Sequence, residues 1–224
     1  MKIKIATLGL CLPMAFLLLA QTKEDERLAN SASVMNELLQ GDEGLPKSVL
    51  NQSMCLLIFP SVKKVAVGIG GSYGRGVLVC RKGEKMNGDW GAPAMYKLDQ
   101  GSLGVQLGST ATDFVLAVIN SKGVDAILNG KTKLGANAAA AAGPTGAQAN
   151  SYNAEADVLT YSRSKGLFAG VSLEGASIEP DNDANKKLYG KELGAREILT
   201  GSQQVVPAAE PLVSLLNTTS PNRR

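Results

Sequence analysis

The chain has 224 residues, of which 44% are hydrophobic and 4% aromatic, and its formal net charge is +3 with no histidine. The lack of histidine excludes Ser-His-Asp and Cys-His catalysis and the usual zinc and haem sites. A nearly neutral chain is also a poor candidate for nucleic-acid binding, which needs a strongly basic face. The length suffices for one sizeable hydrophobic core, so a single domain is expected.

Residues 1–20 have the composition of a secretory signal peptide. Lys2 and Lys4 precede an apolar stretch that is shorter than the ~20 residues of a membrane-spanning helix. We expect cleavage near Ala20, which leaves 21 basic against 20 acidic residues. The protein would then be exported to a periplasm or be associated with an outer membrane. Leu18 is bulkier than a good cleavage site prefers, so an uncleaved anchor is the alternative.

The N-terminal part of the mature chain predicts helices. Residues 23–40 place Leu28, Met35 and Leu39 on one stripe, and Gly41 follows as a stop signal. Pro46 can begin a second short helix. Further helices are predicted from Ser121 as N-cap to Leu128, from Asp181 or Asn182 to Tyr189, at residues 195–199 and at residues 207–216. The last of these lies in a C-terminal tail, residues 202–224, of which residues 218–224 should be loose.

Strand patterns dominate the middle of the chain. Residues 54–59 form a continuous apolar run, which is typical of a strand buried on both faces. Alternating or apolar runs also predict strands at residues 90–98, 103–107, 112–119, 158–163 and 167–173, with a small-residue strand within 136–148. The expected fold class is α+β: a strongly curved, largely antiparallel, glycine-rich and barrel-like sheet, with helices from the N- and C-terminal parts packed on it.

Residues 59–81 predict a glycine-rich hairpin around which the rest of the chain is organised. The predicted structural glycines, which would let the backbone turn or approach another group closely, are Gly68, Gly70, Gly71, Gly74 and Gly76. Lys63 and Lys64 precede the glycines, Arg75 is expected in the turn, and Arg81, Lys82 and Lys85 follow. The sequence therefore predicts a hairpin with a cationic rim.

The cationic rim suits anionic head groups. Arginine can bind a phosphate through two parallel hydrogen bonds, and lysine contributes a point charge. Tyr73 and Trp90 could anchor at a lipid interface, where aromatic rings with one polar end are favoured. The alternative is structural: basic residues on a strand edge discourage aggregation, and both aromatic side chains could belong to the core.

Two cysteines remain after the leader, Cys55 and Cys80. They flank the predicted hairpin at similar distances from its centre, which allows them to lie on neighbouring strands. A disulfide is the favoured interpretation, because the leader implies an oxidising compartment. Two buried free thiols are the alternative.

Two motifs invite a catalytic or metal-binding interpretation. Residues 70–74 match G-x-S-x-G with Ser72 at the serine, but that motif needs a strand-to-helix turn and a histidine base. Residues 181–192 resemble a calcium loop, although Lys186 stands where the loop requires glycine. We therefore predict no enzyme activity, no catalytic residues, no metal and no cofactor.

Several motifs resemble those of the SYLF domain: FPSVKK at residues 59–64, GGSYGRG at 70–76, WGAPAMY at 90–96, GSLGVQLG at 101–108, GPTG at 143–146 and YSRSKGLFAGVSLEG at 161–175. The resemblance covers residues 28–201, and we delimit the domain as residues 21–201. It implies lipid binding, because the SYLF domain is a lipid-binding domain of bacterial envelope proteins and of eukaryotic actin-patch and membrane-trafficking proteins.

The expected function is that of a non-enzymatic phospholipid-binding protein of the bacterial envelope. Anionic head groups would contact Lys63, Lys64, Arg75 and Arg81. An alternative is a structural or stress-related envelope protein that binds a protein partner through its sheet edge or its first helix. A histidine-free hydrolase that uses Ser72 or a Ser-Lys pair ranks last. An actin role is not expected of an exported protein.

Overall fold

A computed structural model describes residues 21–41, 44–65, 70–102, 111–144, 155–164, 167–171 and 173–222. The predicted leader, Gly68 and the predicted strand at residues 103–107 lie outside these ranges. The expected fold class is confirmed. The chain is α+β, with a strongly curled mixed sheet that forms a half-barrel, and with helices from both ends of the chain packed on it.

Nine strands make up the sheet within the described residues. They are β1 (Cys55–Val65), β2 (Gly70–Cys80), β3 (Ala94–Ser102), β4 (Ala111–Val118), β5 (Thr132–Lys133), β6 (Ala140–Ala142), β7 (Val158–Ser164), β8 (Leu167–Gly170) and β9 (Ser177–Pro180). Their spatial order is β5-β9-β3-β2-β1-β4-β7-β6, and β8 also pairs with β7. The β6–β7 pair is parallel and the other pairs are antiparallel, as expected for a largely antiparallel sheet.

The α-helices within the described ranges are α1 (Lys23–Gln40), α2 (Lys47–Gln52), α3 (Ser121–Leu128), α4 (Asn182–Tyr189), α5 (Ala195–Thr200) and α6 (Glu210–Thr219), and a 3-10 helix (Pro207–Ala209) precedes α6. Helix α1 begins with a capping box, in which the Asp25 N–H donates to Thr22 Oγ1 and the Thr22 N–H donates to Asp25 Oδ2. Asp181 caps α4, as predicted. The cap of α3 is Asn120 rather than Ser121, because the Asn120 side chain accepts from the Gly123 N–H.

Both faces of the sheet are buried. Leu57 and Phe59 of β1 face the core under α3 and α5, whereas Leu56 and Ile58 face the core under α1, α2 and α6. Helices cover both faces of β1. If polar side chains alternated with apolar ones along this strand, the polar side chains would be buried without hydrogen-bond partners. The continuous apolar run at residues 54–59 therefore has the two-sided burial that the sequence predicts.

Cys55 and Cys80 form a disulfide, as predicted. They lie directly opposite each other in the β1–β2 register, with their Cα atoms 4.0 Å apart. Both residues are buried in the core on the α3 and α5 side of the sheet. The disulfide joins the two outer ends of the hairpin.

Four of the predicted glycines, Gly70, Gly71, Gly74 and Gly76, lie within strand β2, so the expectation that Arg75 occupies a turn is wrong. Arg75 pairs with Lys97 of β3 in the middle of the strand. Strand β1 is irregular opposite this point, and Ser61 has a φ of 52°. A Cβ atom on Gly74 would lie 2.6 Å from Val62 Cγ2, and one on Gly76 would lie 2.6 Å from Phe59 Cδ1. Close packing of the irregular strand β1 against β2 therefore requires glycine at these two positions.

The other predicted structural glycines have different surroundings. A Cβ on Gly71 would make an ordinary 3.5 Å contact with the Gln100 carbonyl oxygen, so space does not require glycine there. Gly70 begins β2 and pairs with Ser102 of β3.

Residues 218–221 are anchored, contrary to the expectation that the segment from residue 218 onward would be loose. Helix α6 reaches Thr219, and the Ser220 side chain that follows is fully buried. The Ser220 hydroxyl accepts from Arg81 Nη2, and the Pro221 carbonyl accepts from Arg81 Nη1. A buried arginine needs acceptors for its five N–H groups, and the C-terminal segment supplies one from a side chain and one from the backbone.

Candidate functional site

A pocket of about 390 Å³ lies where the first turns of α1 meet the β1–β2 hairpin. Helix α1 contributes Lys23, Glu26, Arg27 and Asn30, which share one face of the helix. The hairpin contributes Pro60, Ser61 and Lys63 from β1 and Tyr73, Gly74 and Arg75 from β2. We refer to this set of residues as the basic pocket.

Tyr73 is the aromatic wall of the basic pocket. Its side chain is 42% exposed, and among the described residues no other large hydrophobic side chain is as exposed. Lys63 lies directly opposite Tyr73 in the β1–β2 register. The Tyr73 hydroxyl accepts a 2.5 Å hydrogen bond from Arg75 Nε, and the Arg75 guanidinium lies 5.8 Å from the Tyr73 ring centroid. Strand β2 thus holds an aromatic ring and a cation together at the surface.

The charge of Arg75 is compensated from within the protein. Its Nη1 atom lies 2.6 Å from Asp181 Oδ2, and Asp181 is almost completely buried. Burial by itself would lower the pKa of Arg75, but the hydrogen bond to Tyr73 and the charge of Asp181 outweigh it and raise the pKa. The positive charge of Arg75 is therefore already paired with Asp181, whose side chain also caps α4.

The remaining cations of the basic pocket differ in their environment. Arg27 is half-buried and donates to Met95 Sδ at 3.3 Å, and burial lowers its pKa although it remains charged. Lys23 and Lys63 are exposed, and neither forms an ion pair with another described residue. Glu26 is the acid that lines the pocket. Lys23 and Lys63 are thus the cations most available to an external anion.

The structure brings together only part of the predicted cationic rim. Lys63, Tyr73 and Arg75 meet in the basic pocket, and Lys64 pairs with Ser72 in the β1–β2 register. Arg81, by contrast, is fully buried, and its Nε donates to the Ser53 carbonyl at 3.0 Å.

Trp90 is buried as well, and its indole N–H donates to the Ser220 carbonyl. The expectation of an exposed rim position for Arg81 is therefore wrong, because the C-terminal segment covers the end of β2. For Trp90 the core alternative holds, and the interface-anchor alternative does not.

Sequence patterns did not identify the contribution of α1. Lys23, Arg27 and Asn30 are spaced by four and three residues, which places them on one face of a helix. That spacing was a usable signal. It could not show that this face would lie beside the hairpin, because helix packing joins residues that are distant in sequence.

The described part of the chain contains no group of three or more His, Cys, Asp or Glu side chains that could hold a metal ion. Asp181, the first residue of the calcium-like stretch, instead caps α4 and pairs with Arg75. None of the helices in the described ranges is both long and apolar enough to cross a membrane.

The arrangement defines a class of protein: an α+β domain that presents a shallow basic pocket with an exposed aromatic ring. Residues 99–219 match a family model described as "Ysc84: Las17-binding protein actin regulator". The chain belongs to this family, the Ysc84 or SYLF family, and its resemblance to SYLF domains is thereby confirmed.

The chain is also similar in sequence to yeast and human proteins whose names carry the same family terms. The chain is 34% identical to Protein YSC84 of Saccharomyces cerevisiae over 93% of its own length and 45% of the relative. It is 33% identical to LAS seventeen-binding protein 3 of the same yeast over 97% of the chain and 48% of the relative. It is 31% identical to human SH3 domain-containing YSC84-like protein 1, over 79% of the chain and 52% of the relative. The chain spans about half the length of these relatives, and no solved structure matches it.

Proposed function

We propose that this chain is a non-enzymatic lipid-binding protein whose basic pocket holds the anionic head group of a phospholipid. The observation that carries the proposal is the exposed Tyr73 ring with Lys23 and Lys63 in the same pocket. An aromatic ring with a hydroxyl group is favoured at a lipid–water interface, and lysine ammonium groups attract phosphate.

The number of available cations limits the expected strength of binding. Each cation near an anionic membrane surface contributes about 1 kcal/mol. The charge of Arg75 is neutralised by Asp181, and the negative charge of Glu26 offsets one further positive charge in the basic pocket. Binding should therefore be weak for a single site and should fall steeply with salt, since exposed charges are screened within about 10 Å at 0.1 M ionic strength.

The absence of enzyme activity is part of the proposal. Ser72 lies in the middle of β2, between Lys64 of β1 and Gln100 of β3, and it is almost completely buried. A nucleophile elbow instead exposes its serine on a sharp turn between a strand and a helix. The position of Ser72, together with a sequence free of histidine, favours a binding role.

Export to a bacterial periplasm or outer envelope also belongs to the proposal. The composition of residues 1–20 is that of a secretory leader. The Cys55–Cys80 disulfide supports this localisation, because disulfides persist in oxidising compartments and are rare in the cytosol.

A protein partner is the second candidate. The family description includes Las17 binding, and one relative is named a LAS seventeen-binding protein. For this chain the partner would be a different protein, met in the envelope. Partner binding without any vesicle binding would distinguish this role from head-group recognition.

The proposal is tested by co-sedimentation of the purified protein with vesicles. Neutral phosphatidylcholine vesicles are compared with vesicles that also contain phosphatidylglycerol, at low and high salt. The test variant combines Lys23→Gln, Lys63→Gln and Tyr73→Ser, which leaves the Arg75–Asp181 pair intact. The matched control combines Lys133→Gln and Lys191→Gln, two exposed lysines that do not line the basic pocket.

We expect binding that is selective for anionic vesicles, weakens with salt and falls in the test variant but not in the control. An equal loss in both variants would show that net charge matters and that the pocket does not. Binding that ignores lipid charge would contradict head-group recognition at the basic pocket. No binding to either kind of vesicle would favour the protein-partner role.

A further inference from the structure

Strand β1 carries one residue more than either neighbouring strand where it lines the basic pocket. Between Phe59 and Val62 the pairing advances three positions on β1 (59 to 62) but only two on β4 (114 to 112). The pairing with β2 shows the same excess, five positions on β1 (58 to 63) against four on β2 (77 to 73). Pro60 and Ser61 therefore lie opposite the single residue Asp113 of β4. Two residues against one define a β-bulge, and we refer to Pro60 and Ser61 as the bulge.

The bulge changes the face of the sheet to which the following side chains belong. In a regular strand the side chains alternate, so Lys63 would share a face with Leu57 and Phe59. Instead Val62 lies with Leu57 and Phe59 in the core under α3 and α5. The extra residue therefore turns Lys63 to the opposite face, where it lines the basic pocket together with residues of α1.

Strand β2 supplies its part of the basic pocket by regular alternation. Its pairing with β3 runs without a shift from Gly70 to Leu78. Val77 lies in the core under α1, and Tyr73 and Arg75 share its alternation and line the basic pocket. Lys63, directly opposite Tyr73, thus joins the same face only because β1 carries the bulge.

The side chain of Asp113 holds the bulge. The Ser61 N–H donates to Asp113 Oδ1 at 2.8 Å. Ser61 has a φ of 52°, in the left-handed region that residues with a side chain rarely adopt. A bulge takes its extra residue out of the regular hydrogen-bond ladder, and here a carboxylate oxygen accepts from its N–H. This hydrogen bond therefore fixes the least favourable backbone position in the pocket wall.

Arg163 of β7 holds Asp113 in turn. Arg163 lies directly opposite Asp113 in the β4–β7 register, and its Nε donates to Asp113 Oδ2 at 2.8 Å. Its Nη1 atom forms an ion pair with Glu37 of α1. One guanidinium group therefore connects the carboxylate at the bulge with the helix that forms the other wall of the basic pocket. Neither Asp113 nor Arg163 is among the described residues that line the pocket.

We propose that Asp113 is a positioning residue of the basic pocket. Through the Ser61 N–H it holds the bulge that turns Lys63 to the α1 face, and Arg163 fixes its orientation. Asp113 contacts no ligand and acts through Lys63. The inference rests on the proposed head-group binding, and it adds the residue that sets the geometry of the site.

The first test compares Asp113→Ala with Glu179→Ala in co-sedimentation with vesicles that contain phosphatidylglycerol. Glu179 is a carboxylate of β9 that pairs with Lys97 and Lys131, away from the basic pocket. Each substitution makes the protein more positive by one charge, which by itself strengthens binding to an anionic surface. We expect Glu179→Ala to bind at least as tightly as the unmodified protein. Asp113→Ala should bind about fivefold more weakly, as for the loss of one cation at the membrane.

A double-mutant cycle separates positioning from a general loss of stability. Lys63→Gln should weaken binding in the unmodified protein but cause little further loss in Asp113→Ala, because Lys63 is then already displaced. Lys23→Gln, on α1, should have its full effect in both backgrounds. Asp113→Asn keeps an oxygen that can accept from Ser61, so it should retain most of the binding. Additive losses for Asp113→Ala and Lys63→Gln, or equal losses for Asp113→Ala and Asp113→Asn, would overturn the proposal.

A measurement without lipid tests the position of Lys63 directly. Residues directly opposite on one face of a sheet have Cβ atoms about 5 Å apart, so NMR should show nuclear Overhauser effects between the Lys63 side chain and the Tyr73 ring. These should weaken in Asp113→Ala, whereas those between Ile58 and Val77 should persist. Unchanged Lys63–Tyr73 signals in Asp113→Ala would overturn the positioning role. Weakened signals in a protein that binds no vesicles would support positioning and refute the proposed function.

Discussion

The guanidinium of Arg81 lies over the ring of Trp90, 4.3 Å from its centroid, and both side chains contact Ser220 near the end of the chain. Arg81 Nη2 donates to the Ser220 hydroxyl at 2.6 Å, and Trp90 Nε1 donates to the Ser220 carbonyl at 3.0 Å. These contacts join the end of β2 to the segment after α6. A charge that the sequence suggested for lipid binding instead fastens the C-terminal segment to the sheet.

Replacing Arg81 should destabilise the fold. Arg81→Lys keeps the positive charge but loses the planar fork that reaches Ser53, Ser220 and Pro221 together. We expect the free energy of unfolding in urea to fall by about 3 kcal/mol, as for other buried charges that lose partners. Arg75→Lys is the control, since Arg75 is partly exposed and lysine keeps a positive charge beside Asp181, so a smaller loss is expected. Unchanged stability with loss of vesicle binding would instead place Arg81 in the lipid site.

Gly76→Ala should be strongly destabilising, because its Cβ would overlap the Ile58 carbonyl and the Phe59 ring. Overpacking of this kind costs about 1–3 kcal/mol, and a backbone neighbour cannot move aside easily. Gly101→Ala, on the neighbouring strand β3, is the matched control, since no atom lies within 4 Å of its Cβ position. Thermal and urea unfolding measure both variants. Equal stability of the two would show that β1 does not approach β2 as closely as described.

Removing the disulfide should lower stability without changing the fold. The Cys55–Cys80 bond closes a loop with a sequence separation of 25, and a loop of that length corresponds to about 3 kcal/mol of restricted chain entropy in the unfolded state. The double variant Cys55→Ala/Cys80→Ala should therefore unfold at lower urea concentration. A reducing agent should have the same effect on the unmodified protein and none on the variant. An effect of reduction on the variant would contradict this assignment.

Asp157 should contribute to the loss of stability in acid. Burial alone would raise the pKa of Asp157, but hydrogen bonds from the Ala139 N–H, Asn120 and Lys122 outweigh it and lower the pKa. A carboxyl group whose pKa is lowered by folding stabilises the protein above its unfolded pKa of about 3.9, and this contribution is lost as the pH falls through the folded value.

The pH dependence is tested with Asp157→Asn, which keeps an oxygen acceptor but removes the charge. The variant should be less stable than the unmodified protein near pH 7, and the difference should shrink below about pH 4. Asp89→Asn, at an exposed carboxylate, is the control. A stability difference that stays constant from pH 7 to pH 2 would show that packing, and not ionisation, accounts for the effect.

Local patterns predicted most elements of the fold. The stripe with Leu28 and Met35 and the Gly41 stop signal predicted α1, and the two-sided apolar run predicted the first half of β1. Asp181 was recognised as a helix cap. These predictions succeed because capping, periodicity and burial are properties of neighbouring residues. The prediction that the glycines form a turn was wrong for Gly74 and Gly76, which lie within β2 and allow close contact between β1 and β2.

The candidate site was only half predictable. Lys63, Tyr73 and Arg75 were identified from the hairpin, whereas Lys23 and Arg27 enter the pocket from a helix about 40 residues earlier in the chain. Arg81 and Arg75 look alike in the sequence, as basic residues beside strand-like runs. One is buried under the C-terminal segment and the other is partly exposed beside Asp181.

The sequence by itself determined the family, the α+β class and most of the helix and strand pattern, and it favoured the pairing of Cys55 with Cys80, because each depends on residue order or on positions within one hairpin. The tertiary structure alone decided which cations are available to a ligand. It packed α1 against the hairpin, placed Asp181 on Arg75 and buried Arg81 beneath Ser220. The physical reason is that burial and charge compensation arise from contacts between residues far apart in the chain.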